Sequence, residues 1–171
     1  MLKNNLLYIL LFVFVFQACE EKKEMSSINE VNWKKRTITK PLKDSIVEGA
    51  TYLSVYSQVY SLTEHTTYNL TAIVSMRNVN IKDTIYIDRA EYFDTKGSSI
   101  RTYFNKTIYI APMETVEIVI DEKDKEGGTG ANFLFTWKTK PNVHEPLFEG
   151  VMLSTYGQQG LSFTTNGKRV Y

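Results

Sequence analysis

Tyr68–Asn78 reads YNLTAIVSMRN. Leu70, Ala72, Val74 and Met76 fall on one side of an extended chain, and Thr71, Ser75 and Arg77 on the other. An apolar period of two is the mark of a strand with one buried face. The pattern recurs downstream. Val116, Ile118 and Ile120 alternate with Glu117 and Asp121, and Phe133, Phe135 and Trp137 alternate with smaller or polar neighbours. Those three aromatic residues are expected in the core, without a disulfide beside them, because the chain has a single cysteine.

Further strands are expected over Tyr52–Tyr60, Ile85–Asp94, Ile100–Phe104, Thr107–Ile110, Phe148–Ser154 and Leu161–Thr165. Turn-forming groups separate them: Asp94-Thr95-Lys96-Gly97, Ala111-Pro112-Met113-Glu114 and Asn166-Gly167. Within Ile85–Asp94 the alternation slips at Asp88-Arg89, from Ile85 and Ile87 to Ala90 and Tyr92, which a β-bulge would repair. No segment after the leader has a sustained helical period, and no internal repeat is evident. Short strands joined by hairpin-length turns imply an all-β fold, a two-sheet antiparallel sandwich of immunoglobulin-like kind. A small closed barrel is the alternative.

The rest of the chain divides around that domain, which is expected over residues 51–171. Leu6–Phe16 is continuously apolar behind a start that carries Lys3. As a helix it would span about 16 Å, half of what a bilayer core needs. It reads as a signal peptide, residues 1–18, and Phe16-Gln17-Ala18-Cys19 resembles a bacterial lipobox. That resemblance implies a diacylglyceryl group on the sulfur of Cys19. Phe16 and Gln17 depart from the commonest residues of the motif. Two or three acyl chains hold a protein on a membrane where one does not. Residues 19–50 then form a lipidated start and a polar tether, in which Trp33-Lys34-Lys35-Arg36 either touches the membrane or packs on the domain.

Twenty basic residues meet nineteen acidic ones. Removing residues 1–18 takes away only Lys3, so the remainder balances. Such neutrality argues against nucleic acid as a partner. The membrane, reached through Cys19, and an envelope protein or glycan are the expected partners.

Two glycine-bearing stretches suggest a ligand surface at one end of the sandwich. Gly127, Gly128, Gly130 and Asn132 form one, and Tyr156, Gln158 and Gln159 belong to the other. The first is not a nucleotide loop, since no Lys follows the glycines and the next element reads as a strand. Asp121, Glu122, Asp124 and Glu126 precede it without EF-hand spacing, and Lys123 and Lys125 interrupt them. His65 and His144 lack the neighbours of a hydrolytic triad, and no Gly-x-Ser-x-Gly is present. No catalytic residue, metal site or cofactor is assigned. Asp44-Ser45-Ile46 and Asp83-Thr84-Ile85 resemble an O-glycosylation sequon of envelope proteins, Ser45 being the more accessible.

Several blocks together resemble a bacterial domain family of unknown function, found in small secreted or lipid-anchored envelope proteins. They include Tyr52–Ser57, Tyr68–Ala72, Glu91–Gly97, Gly127–Phe133, Glu149–Met152 and Gly160–Thr164. The resemblance spans residues 51–168 and implies no activity. The expectation is therefore a non-catalytic sandwich, anchored by lipid to a membrane of the cell envelope, the outer membrane first. It would bind a protein or glycan or support an envelope assembly. An enzyme acting on envelope material and a calcium-binding module are the alternatives.

Overall fold

Strand β4 (Thr71–Arg77) becomes the inner strand of a sheet because both of its edges are paired. β8 (Thr115–Ile120) lies on one side and β10 (Leu147–Ser154) on the other. β11 (Leu161–Asn166) extends that sheet to four strands in the order β11-β10-β4-β8. The register sets Ala72 beside Ile120 and Met152, and Met76 beside Val116 and Phe148, so the alternating apolar residues form one continuous buried face. The computed structural model describes residues 31–40, 42, 46–155 and 160–171.

A larger antiparallel sheet covers that face. β1 (Val47–Ser54), β9 (Asn132–Thr139) and β5 (Ile85–Phe93) run side by side, with the two-residue β12 (Lys168–Arg169) outside β1. Two short strands share the outer edge of β5. β7 (Ile108–Ile110) pairs with its first half and β6 (Ser99–Phe104) with its second. The register against β9 shifts between Ile87 and Arg89, at the slip in the sequence pattern. The displaced Asp88 accepts the hydroxyl of Thr107 at 2.8 Å and the ammonium of Lys138 at 3.1 Å, in the gap between β7 and β6.

Stacked rings join the two sheets. Tyr92, Phe133, Phe135 and Phe148 follow one another at centroid distances of 4.8, 5.3 and 4.3 Å, the last step crossing from the larger sheet to the smaller. Trp137 is also buried, and its indole N–H donates to Thr51 Oγ1 at 2.9 Å. Gly49, paired with Trp137 across β1 and β9, leaves the space in which that ring lies. The Arg169 guanidinium covers the ring from outside, 5.2 Å from its centroid. The chain is thus an all-β sandwich, and no sheet among the described residues closes into a barrel.

The strand limits differ from the sequence pattern in two places. The run expected over Tyr52–Tyr60 is two strands. β1 begins earlier, at Val47, and stops at Ser54, and β2 (Gln58–Ser61) starts after a break. In the break, the Val55 and Ser57 amides bond the carbonyls of Ala131 and Gly128 instead of a sheet partner. β3 (Thr63–Asn69) was hidden because nearly all of it is exposed, leaving no apolar alternation to read. It pairs only with β2, through a turn at Leu62, where φ is +61°.

Helix α1 (Val31–Arg36) closes one side of the sandwich. Trp33 is 8% exposed and lies 4.7 Å from the Phe104 ring. Arg36 meets Glu114 at 2.7 Å, Thr37 bridges to Ile108, and the Ile38 amide donates to the Thr107 carbonyl. Of the two roles open to the Trp33 cluster, packing on the domain is the one observed.

Candidate functional site: the loop end of the sandwich

Strand direction decides which loops meet. β1, β5 and β10 finish at one end of the sandwich, where β4, β9 and β11 begin, as their antiparallel registers require. As a result, Ser54, Asn132 and Phe93 end one row in the larger sheet, while Thr71, Leu153 and Ser162 end another in the smaller. At this end lie the Asp94–Ser98 turn, the loop from Asp121 to Ala131, the β2–β3 hairpin, and the stems Ser154 and Gly160 of the chain between β10 and β11. Gly127, Gly128, Gly130 and Asn132 are therefore placed together. Tyr156, Gln158 and Gln159 lie outside the described residues, as do Cys19 and Ser45.

The glycine loop is strapped down. Its carbonyl at Gly127 accepts the Thr95 amide at 3.2 Å and hydroxyl at 3.0 Å. Thr95 Oγ1 accepts the Gly130 amide in turn, at 3.0 Å. The Gly128 carbonyl accepts the Ser57 amide at 3.2 Å and hydroxyl at 3.3 Å. Two of the glycines have steric reasons. A Cβ on Gly127 would overlap the Tyr92 hydroxyl, and Gly128 sits at φ +71°, where side chains are strained. Residues 128–130 make a single 3₁₀ turn that leads into β9, so the backbone polar groups serve the fold rather than a phosphate.

An arginine holds the acidic approach to the loop. Arg101, on β6, donates to Asp124 at 2.9 Å, to Glu126 at 3.1 Å and to the Tyr103 hydroxyl at 3.1 Å. The Asp124 side chain is fully buried. Burial works against the charge on Arg101, but its bonds to Asp124 and Tyr103 prevail and raise its pKa above the ordinary value. Burial also pushes the Tyr92 and Tyr103 hydroxyls upward. Tyr92 Oη is buried beside the Ser57 hydroxyl, which itself donates to the Gly128 carbonyl. The four acidic residues thus do not converge: Asp124 and Glu126 face Arg101, and Asp121 Oδ1 accepts the Lys123 amide at 2.9 Å. Among the described residues no group of three or more His, Cys, Asp and Glu could hold a metal ion. His65 lies on the exposed β3. The backbone of His144 bonds Asn80 at the other end of the sandwich, so the two histidines cannot act together.

What the sequence reading missed is the hairpin beside the loop. Val59, Tyr60, Leu62 and Tyr68 line a recess of about 490 Å³ together with Ser154, Gly160 and Leu161. Tyr60 is 59% exposed and Leu62 98%. Aromatic and aliphatic side chains this open are what a binding surface displays. The signal available was a pair of tyrosines, Tyr60 and Tyr68, bracketing a run that is polar apart from Leu62.

The fold and this end together define a class: an all-β sandwich domain with one end built from loops and a projecting hairpin. Residues 48–170 match the family described as protein of unknown function (DUF3124), and the chain belongs to that family. No curated protein and no solved structure matches it.

Proposed function

We propose that this is a bacterial cell-envelope protein, secreted and held by lipid on Cys19, with the outer membrane as its first location. Its sandwich binds a protein or glycan partner without catalysis. The observation that carries the binding reading is the recess under the β2–β3 hairpin, where Tyr60, Tyr68 and Leu62 present ring faces and an aliphatic tip beside hydroxyl groups. The locked glycine loop supports it as a rigid wall, through the Gly128–Ser57 contacts at the root of the hairpin.

A photo-crosslinking residue at position 62, compared with one at position 117 on the outer face of β8, tests the surface in whole cells. A discrete adduct from 62 that disappears with Tyr60→Ser supports the proposal. Equal adducts from both positions, or none from 62, would refute it. Mass spectrometry of the mature N-terminus tests the anchor separately. It should find acylated Cys19, and Cys19→Ala should release the protein from membranes. A glycan mass on peptides containing Ser45 would support modification there.

A further inference from the structure

We propose that the end of the sandwich opposite the glycine loop is a membrane-contact surface, which takes an acidic phospholipid bilayer as its ligand. The inference rests on the lipid-anchor reading and deepens it, assigning the face that the domain turns to the bilayer.

Three loops form this end: 78–84 between β4 and β5, 111–114 between β7 and β8, and 140–146 between β9 and β10. Their tips are apolar. Ile81 is 79% exposed and Met113 67%. Both are held out by a rigid frame. The Asn78 amide donates to the carbonyls of Asp83, Ile110 and Ala111 at 2.8–3.0 Å. Its oxygen accepts both nitrogens of Asn80, which clasps the backbone of His144. Asn78 and Asn80 are buried, so the network fixes all three loops from beneath. Protruding aliphatic tips on a fixed base suit shallow insertion among lipid headgroups.

The surrounding charge fits the same ligand. Lys82 adjoins Ile81, Lys140 opens the third loop, and Lys34 and Lys35 are exposed on α1. Of the carboxylates in these loops, Glu114 is paired with Arg36 and Glu145 with Arg169, which leaves Asp83. Exposed lysines near anionic headgroups add attraction that salt weakens. The hairpin end also displays apolar groups, but in its neighbouring loop Lys123 and Lys125 alternate with Asp121, Glu122, Asp124 and Glu126, so no excess of positive charge accompanies them.

The path of the chain gives the third argument. Arg36 ties α1 to Glu114, the residue after Met113, so the tether from Cys19 joins the domain beside this surface. Fourteen residue steps separate Cys19 from Trp33, at most about 50 Å of extended chain. Seating Ile81 and Met113 on the bilayer would leave the hairpin recess facing away from it, open to a partner.

In the acylated protein a cysteine introduced elsewhere is the only free thiol. The test uses the full chain in vesicles of phosphatidylethanolamine and phosphatidylglycerol containing nitroxide-labelled lipid, with a fluorophore placed at Ile81→Cys, Met113→Cys or Leu62→Cys. The expected result is quenching of at least about twofold at 81 and 113 and little at 62, reduced when Lys34, Lys35, Lys82 and Lys140 are changed to Glu. Equal quenching at all three sites, or none at 81 and 113 in vesicle-bound protein, overturns the proposal. If mass spectrometry shows Cys19 unacylated, the same sites are read in a Cys19→Ser chain at high vesicle concentration. Quenching confined to 81 and 113 then upholds the surface while the anchor reading fails, and its absence overturns the surface as well.

Discussion

Replacing Gly49 with Ala should unseat Trp137. A methyl group at Gly49 would lie 2.5 Å from Cη2 and 2.8 Å from Cε2 of the indole, about 1 Å inside ordinary carbon–carbon contact. The ring cannot slide freely, because Nε1 is bonded to Thr51 and Arg169 lies over its face. Overpacking of this kind costs about 1–3 kcal/mol. Pulling the buried N–H from its acceptor adds about 1–3 kcal/mol. Fewer unfolded conformations return about 0.4–1 kcal/mol for Gly→Ala. The net loss expected is about 2–4 kcal/mol in urea denaturation followed by circular dichroism. In a Trp137→Leu background the obstacle is gone, and the same substitution should be neutral or slightly stabilising. A cost below about 0.5 kcal/mol in the parent chain, or an equal cost in both backgrounds, would refute the claim that Gly49 exists to seat that ring.

Arg101→Met leaves the fully buried carboxylate of Asp124 without its cation and should cost about 3–5 kcal/mol by urea denaturation, with recovery when Asp124→Asn removes the charge. Tyr92 and Tyr103 should ionise late in an ultraviolet alkaline titration. Burial raises both above the ordinary 10.0, so the folded state keeps protons that the unfolded chain releases. Their stabilisation is complete below that pH and lost as pH climbs through the folded values. A late phase that Tyr92→Phe and Tyr103→Phe together remove is the pattern to look for, and its persistence in that double variant would contradict the assignment. At the acid end, the bond from Arg36 holds the Glu114 carboxyl below its ordinary 4.5. The stability it gives is present above that value and disappears as pH falls through the lower folded one. Trp33 fluorescence in a Trp137→Phe chain should therefore report release of α1 in acid. In Glu114→Gln that acid step should be absent, and its persistence would count against the ion pair as its origin.

Much of the sandwich was legible because half-buried strands write their burial into the sequence. β4, β8 and β9 each alternate cleanly, and the slip at Asp88-Arg89 marked a real register shift. The legible part ended where packing no longer governs residue choice. β3 is a strand held by backbone bonds to β2 alone, so its polar residues carry no period. α1 is only six residues long and owes its place to the distant Phe104 and Glu114. The glycines at 127, 128 and 130 were visible as a special backbone, but their purpose depends on Thr95, Ser57 and Tyr92, far away in the chain. Composition shows that a loop needs glycine; only the three-dimensional neighbours show whether it needs it for a ligand or for itself.

The division of one sheet margin between β6 and β7 has a bearing on self-association. A foreign strand seeking to extend the larger sheet would meet three residues of β7, then the Asp88 irregularity, then six residues of β6 whose own pairing slips. No uninterrupted ladder is on offer there, and short, kinked margins are poor templates for chain-to-chain polymerisation. A rim broken in this way gives a second copy of the chain no continuous row of backbone groups to pair with.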